Sequence, residues 1–118
     1  MIMLLVFPIL ASCSDEQSSR RQALSAASWG ASGEMILRAQ LDGLVPKGFS
    51  DLAIERCEEQ ISSTEVAIRA ERPDASTLAY IVKLRQVIGA ARESIALSRQ
   101  QIDSIHILRT RLADEARR

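Results

Sequence analysis

The chain has 118 residues, of which 47% are apolar and 25% charged, enough hydrophobic material for one packed domain and too short a chain for two. Aromatic residues make up only 3%, and Gly (5) and Pro (3) are scarce. That balance favours helix and comes close to excluding an all-β fold. Fifteen Lys and Arg against fifteen Asp and Glu leave a formal charge of zero, so nothing in the overall balance draws the chain to nucleic acid.

The first thirteen residues carry no charged side chain, and Ile2 to Leu10 form an apolar run broken only by Pro8. Nine residues cannot span a bilayer, which takes about 20 in a helix, but they suit the apolar region of a secretory signal, which runs to about 7 to 15. The run closes in Leu10-Ala11-Ser12-Cys13, a branched apolar residue, two small ones and a cysteine. This segment resembles the lipobox of bacterial lipoprotein precursors, although no Lys or Arg precedes the run. The resemblance covers about thirteen residues and concerns processing, not the fold that follows. It implies a signal peptide over 1–12, lipid attachment at Cys13, and a membrane partner reached through that anchor. Ser14 stands where an Asp favours inner-membrane retention in Gram-negative lipoproteins, so the resemblance favours the outer membrane over the inner one, on the periplasmic side.

Residues 13–22 then read as a lipidated tether, polar and unpatterned from Ser14, and 23–118 as a helical domain. A short Ala-rich helix is expected over 23–31, ending at Gly30. A clearer one follows over 32–43, with Ser32 as N-cap, Glu34 in its first turn, and Gly43 as its stop ahead of Pro46. Leu37, Leu41 and Leu44 form its apolar face, widened by Met35 and Ile36.

The second strong helix is expected over 51–72, capped by Ser50, with Phe49 packing on Ile54 as a hydrophobic staple and Pro73 closing it. A third is expected over 75–116, capped by Asp74. Its seam runs Ile81, Leu84, Ile88, Ala91, Ile95, Ser98, Ile102, Ile105, Arg109 and Leu112, alternating steps of three and four. Folded as an antiparallel hairpin at Pro73, the two helices set Ile68 against Ile81, Ile61 against Ile88 and Ile54 against Ile95, each pair summing to 149. Cys57 then faces Ala91, and Thr64 faces Leu84. Residues 51–74 hold seven acids and three bases, and 75–118 hold eight bases and four acids, so opposite charge favours the same pairing. Glu65 is expected near Lys83 or Arg85, and Glu58 near Arg92.

The fold class expected is therefore all-α, a coiled-coil-like helical hairpin with one or two short helices packed on it. Helix two covers helix three only to about Leu97, which leaves Ile102, Ile105, Leu108 and Leu112 uncovered. Ile102 and Ile105 are assigned to the domain's own core, and Leu108 and Leu112 to a candidate interface with a protein partner or a second copy.

The residues for site chemistry are few. One histidine, His106, lies at the flank of the seam and reads as solvated. Cys57, on the apolar stripe, reads as a small buried hydrophobe; the other reading is an intermolecular disulfide in an oxidising compartment, since lipidation of Cys13 would leave it unpaired. Adjacent Glu58 and Glu59 point about 100° apart on a helix and do not converge on one atom. Neither a phosphate loop nor a nucleophile elbow is present, and Trp29 and Tyr80 read as packing residues. No enzyme activity, catalytic residue, metal, cofactor or small-molecule substrate is expected. The reading is an interaction or structural module of the bacterial envelope. The alternative is an exclusion or inhibitory lipoprotein of a conjugation or secretion system, similar in size and helical character but in no diagnostic motif.

Overall fold

The computed structural model assigns helix from Ile2 and describes side chains over residues 17–118. Cys13 and the apolar run before it lie outside the described side chains. The described residues are all-helical: α1 (Ile2–Leu41), α2 (Lys47–Arg69), α3 (Ala75–Glu93) and α4 (Arg99–Arg117). Each is joined to the next by a short loop, which makes consecutive helices antiparallel neighbours. α1 packs chiefly on α2 and α4, α3 lies between α2 and α4, and α1 touches α3 across the centre, giving an up-down-up-down bundle.

Bonds between elements set the register. Ser50 Oγ donates to Gln40 Oε1 at 2.5 Å, and Ser18 Oγ donates to Glu71 Oε1 at 2.6 Å, so α2 runs back along α1. Arg85 meets Glu65 at 3.1 Å and Arg92 meets Glu58 at 2.6 Å, pairs whose numbers sum to 150, one from the expected 149. Ile61, Ile68, Ile81 and Ile88 are all completely buried.

The core is built from large residues around a narrow helix. α2 contributes Ile54, Cys57, Ile61, Thr64 and Ile68, α3 Ile81, Leu84, Ile88 and Ala91, and α4 Ile102, Ile105, Leu112 and Ala116, all at helical spacing. α1 answers with Ala23, Ala26, Ala27, Gly30 and Gly33 before its one fully buried Leu37. A helix touched by three others has room only for short side chains where the isoleucines and leucines reach across. At Gly30 a Cβ would sit 2.9 Å from Leu84 Cδ2 and 3.2 Å from Arg109 Cβ, so only glycine fits without movement.

The ends follow local chemistry. α1 stops in a Schellman motif: Gly43 takes φ +73°, its N–H donates to Gln40 O, and the Leu44 N–H donates to Ala39 O. At the α2–α3 turn Arg72 takes φ +53°, in the left-handed region, and Pro73 prevents the helix from resuming. α4 opens with a capping box: the Gln101 N–H donates to Ser98 Oγ, and the Ser98 N–H donates to Gln101 Oε1.

Several boundaries differ from those expected. The helices expected over 23–31 and 32–43 are one helix, because Gly30 is a site of close packing and not a stop. Ser32 lies inside that helix. The tether expected over 13–22 is helical from at least residue 17, where Ser18 is held by Glu71. α2 begins at Lys47 after Pro46, so Ser50 is an internal, buried residue, and Phe49 stays exposed instead of stapling Ile54. Met35 and Leu44, expected on the apolar face, are exposed. The single helix expected over 75–116 breaks at 94–98, where Ser94 is extended, Ile95 is fully exposed and cannot meet Ile54, and Ser98 starts a new helix. α4 then doubles back to lie on α1.

Candidate functional site

That reversal decides the fate of the apolar extension. Ile102 and Ile105 are completely buried, as expected of core residues. Leu112, assigned to a candidate interface, is also completely buried, and Leu108 is half-buried against the core. The uncovered stretch was inferred from one long third helix; once α4 folds back, α1 and α3 cover it.

Between α1 and α4 lies a polar cluster. Glu34, three residues before Leu37 on the buried face of α1, is itself buried. Its Oε2 accepts from Arg38 Nε at 3.0 Å, and its Oε1 accepts from Arg109 Nε at 2.7 Å. His106 Nδ1 lies 3.0 Å from the same Oε1 and 3.1 Å from Arg109 Nη2. One ring nitrogen cannot donate to the carboxylate and accept from the guanidinium together. The tautomer with Nδ1–H serves the carboxylate and leaves the guanidinium in simple contact. Arg38 also reaches Asp103 of α4 at 3.5 Å.

Burial alone would push the Glu34 carboxyl up. Hydrogen bonds from Arg109, Arg38 and His106 more than offset it and hold the group below the usual carboxylate range. The carboxylate thus takes three donors from three side chains on two helices. It locks the first helix to the last. On the opposite side Glu58 raises the Arg92 guanidinium, while burial, assisted by the Glu58 charge, raises the Cys57 thiol. Cys57 is buried, in keeping with its reading as a small core residue.

The lock was only partly visible in the sequence. Glu34 and Arg38 have the spacing of a helical ion pair. Nothing local links them to residues more than sixty positions away, and His106, read as solvated, is a member of the cluster.

Two ends of the bundle remain. At one, the α1–α2 loop and the α3–α4 loop come together, with Lys47 Nζ donating to Arg92 O at 3.5 Å. Exposed Leu44, Phe49, Leu52 and Ile95 lie at this end. At the other, where residue 17 lies, Arg20, Arg72 and Arg118 line a cleft of about 770 Å³ together with Glu71, Asp74 and Glu115. Among the described residues no group of His, Cys, Asp and Glu is placed to hold a metal ion, and no helix is long and apolar enough to cross a membrane. No protein-family model, curated protein or solved structure matches the chain.

Proposed function

We propose that this protein is a lipid-anchored helical module of the bacterial cell envelope, acting through its surface as an interaction or structural element and without catalysis of its own. The observation that carries the reading is the apolar run Ile2 to Leu10 ending in Leu10-Ala11-Ser12-Cys13. Acylation at Cys13 would contribute about 0.8 kcal/mol per buried CH₂, and more than one chain gives stable anchoring. Ser14 after the cysteine supports placement at the outer membrane, facing the periplasm.

The arrangement of the bundle is compatible with such a role. Residue 17 is already in the helix that runs through the bundle, four positions from Cys13. Even fully extended, those positions span about 14 Å. The Arg-lined end would therefore rest close to the lipid, and the end with Leu44, Phe49, Leu52 and Ile95 would point away from it. Those exposed apolar residues replace Leu112 as the surface to examine for a protein partner or a second copy.

Radiolabelled palmitate should enter the wild-type product and not Cys13→Ala, and the wild type should sediment with the outer-membrane fraction. Equal labelling of the two would reject the anchor.

A further inference from the structure

The break between α3 and α4 is unlike the other two turns. The α1–α2 loop holds Gly43 and Pro46, and the α2–α3 turn holds Arg72 at φ +53° and Pro73. Residues 94–98 read Ser94-Ile95-Ala96-Leu97-Ser98, with neither glycine nor proline, and each can continue a helix. What holds the break is local and small. Ser94 takes an extended ψ of 131°, its Oγ donates to Ala96 O at 3.0 Å, and Ser98 and Gln101 form the capping box of α4.

The apolar period runs straight through the break. Ile81, Leu84, Ile88 and Ala91 are buried on α3, and Ile102, Ile105 and Leu112 on α4. Ile95 and Ser98 join the two sets in unbroken steps of three and four, so both halves lie on one face of a single helix whenever 94–98 is helical. In the closed bundle Ile95, alone of the isoleucines and leucines on that seam, is fully exposed. An in-phase seam whose central residue stands in water suits a segment with two states.

We propose that two copies of this chain exchange α4. Residues 94–98 straighten, α3 and α4 become one helix of about 64 Å, and α4 of each copy packs on α1 of the other. Every contact of α4 is kept, now between chains, including Glu34 with Arg109 and Arg38 with Asp103. The exchange loses the two capping boxes and the independence of the chains. It adds helix through 94–98 and covers Ile95, which packs beside the two-fold axis against the partner's straightened helix. The axis also sets the loop end of one bundle against that of the other, which makes a second copy the occupant that covers exposed Leu44 and Phe49. The closed bundle is the form at low concentration. The exchange concerns the bundle alone and does not rest on the lipid anchor.

Two single-cysteine chains test it, one with Arg38→Cys and one with Asp103→Cys, each full-length, in a Cys13→Ser, Cys57→Ser background and in detergent micelles. They are unfolded together in urea, refolded as a mixture and treated with a short bismaleimide. A covalent dimer is expected from the mixture, its share rising with protein concentration, and none from either chain alone. Ser98→Ala removes the cap that holds the break and should raise the dimer by about fivefold for each cap concerned. Ile95→Pro should abolish it and keep the melting temperature of the closed bundle, since Ser94 already has the extended backbone preferred before proline. Ile95→Asp is the second variant, harmless at a fully exposed position of the closed form and repulsive at the axis. Absence of a mixed dimer across the concentration range, with Ser98→Ala included, would overturn the exchange. So would an equal dimer from Arg38→Cys alone, which means lateral association, and so would an undiminished dimer in Ile95→Asp, which means that the hinge does not straighten.

Discussion

The α2–α3 hairpin and the α1–α4 pairing are held together by different means. The hairpin is a regular seam of isoleucines, with Glu58–Arg92 and Glu65–Arg85 at its edge. The α1–α4 side sets glycines and alanines against large residues and carries a buried carboxylate between two guanidiniums and an imidazole. Apolar seams tolerate the loss of an edge charge. A packed seam of small residues with a buried charge tolerates neither an added methyl nor a lost partner.

This contrast should appear first in the core. Ile105→Ala removes a completely buried side chain where α4 meets the rest of the bundle, and should cost about 2 to 5 kcal/mol in urea unfolding. Under the earlier expectation of a helix projecting past its partner, Leu112→Ala would barely change stability. Complete burial of Leu112 now requires a cost in the same range, and a loss below about 1 kcal/mol would restore the open-face reading.

Gly30→Ala comes next. Its methyl would press on Leu84 and Arg109, and overpacking of this kind costs about 1 to 3 kcal/mol, against a gain of up to about 1 kcal/mol that the same change brings in an unhindered helix. A stabilised Gly30→Ala would mean that α1 is not crossed at that point.

Glu34→Gln should destabilise at neutral pH by about 1 to 3 kcal/mol, a range discounted because Arg38 is 45% exposed and Arg109 27%. The folded Glu34 carboxyl is held below its ordinary value, so its contribution is complete above the unfolded carboxyl range and disappears as pH falls through the lowered folded value. Unfolding of wild type and Glu34→Gln at pH 7 and at pH 2 should therefore show a gap that closes in acid. A gap unchanged between the two would remove Glu34 from the lock. Glu58→Gln, at the edge of the hairpin, should cost only about 0.2 to 1 kcal/mol.

The hairpin was legible because its evidence is short-range and redundant. The isoleucine steps and the opposite charge of residues 51–74 and 75–118 agree on one register, and Pro73 marks the turn. The second reversal was less legible because Ile95 continues the apolar period through residues that are not helical. The capping pair Ser98 and Gln101 was the local sign of a new helix, masked by Ser98 also falling on a seam position. Gly30 misled for a related reason: close packing inside a helix and a helix stop both call for glycine. The Glu34 cluster depends on helices brought together only by that second reversal. Its members stand 72 and 75 positions apart, beyond any spacing rule.

The Glu34 cluster, the close packing at Gly30 and the burial of Leu112 all depend on α4 closing onto α1, and one crosslink reads that closure directly. In a Cys13→Ser, Cys57→Ser background, cysteines at Arg38 and Asp103, whose present side chains meet tip to tip at 3.5 Å, should be joined within one chain by a short bismaleimide crosslinker, the two backbones lying beyond the reach of a direct disulfide. Cysteines at Arg38 and Arg117, the latter at the far end of α4, should not. Failure of the first pair, or its appearance only between chains, would mean that α4 extends away from α1 and that the bundle is not closed.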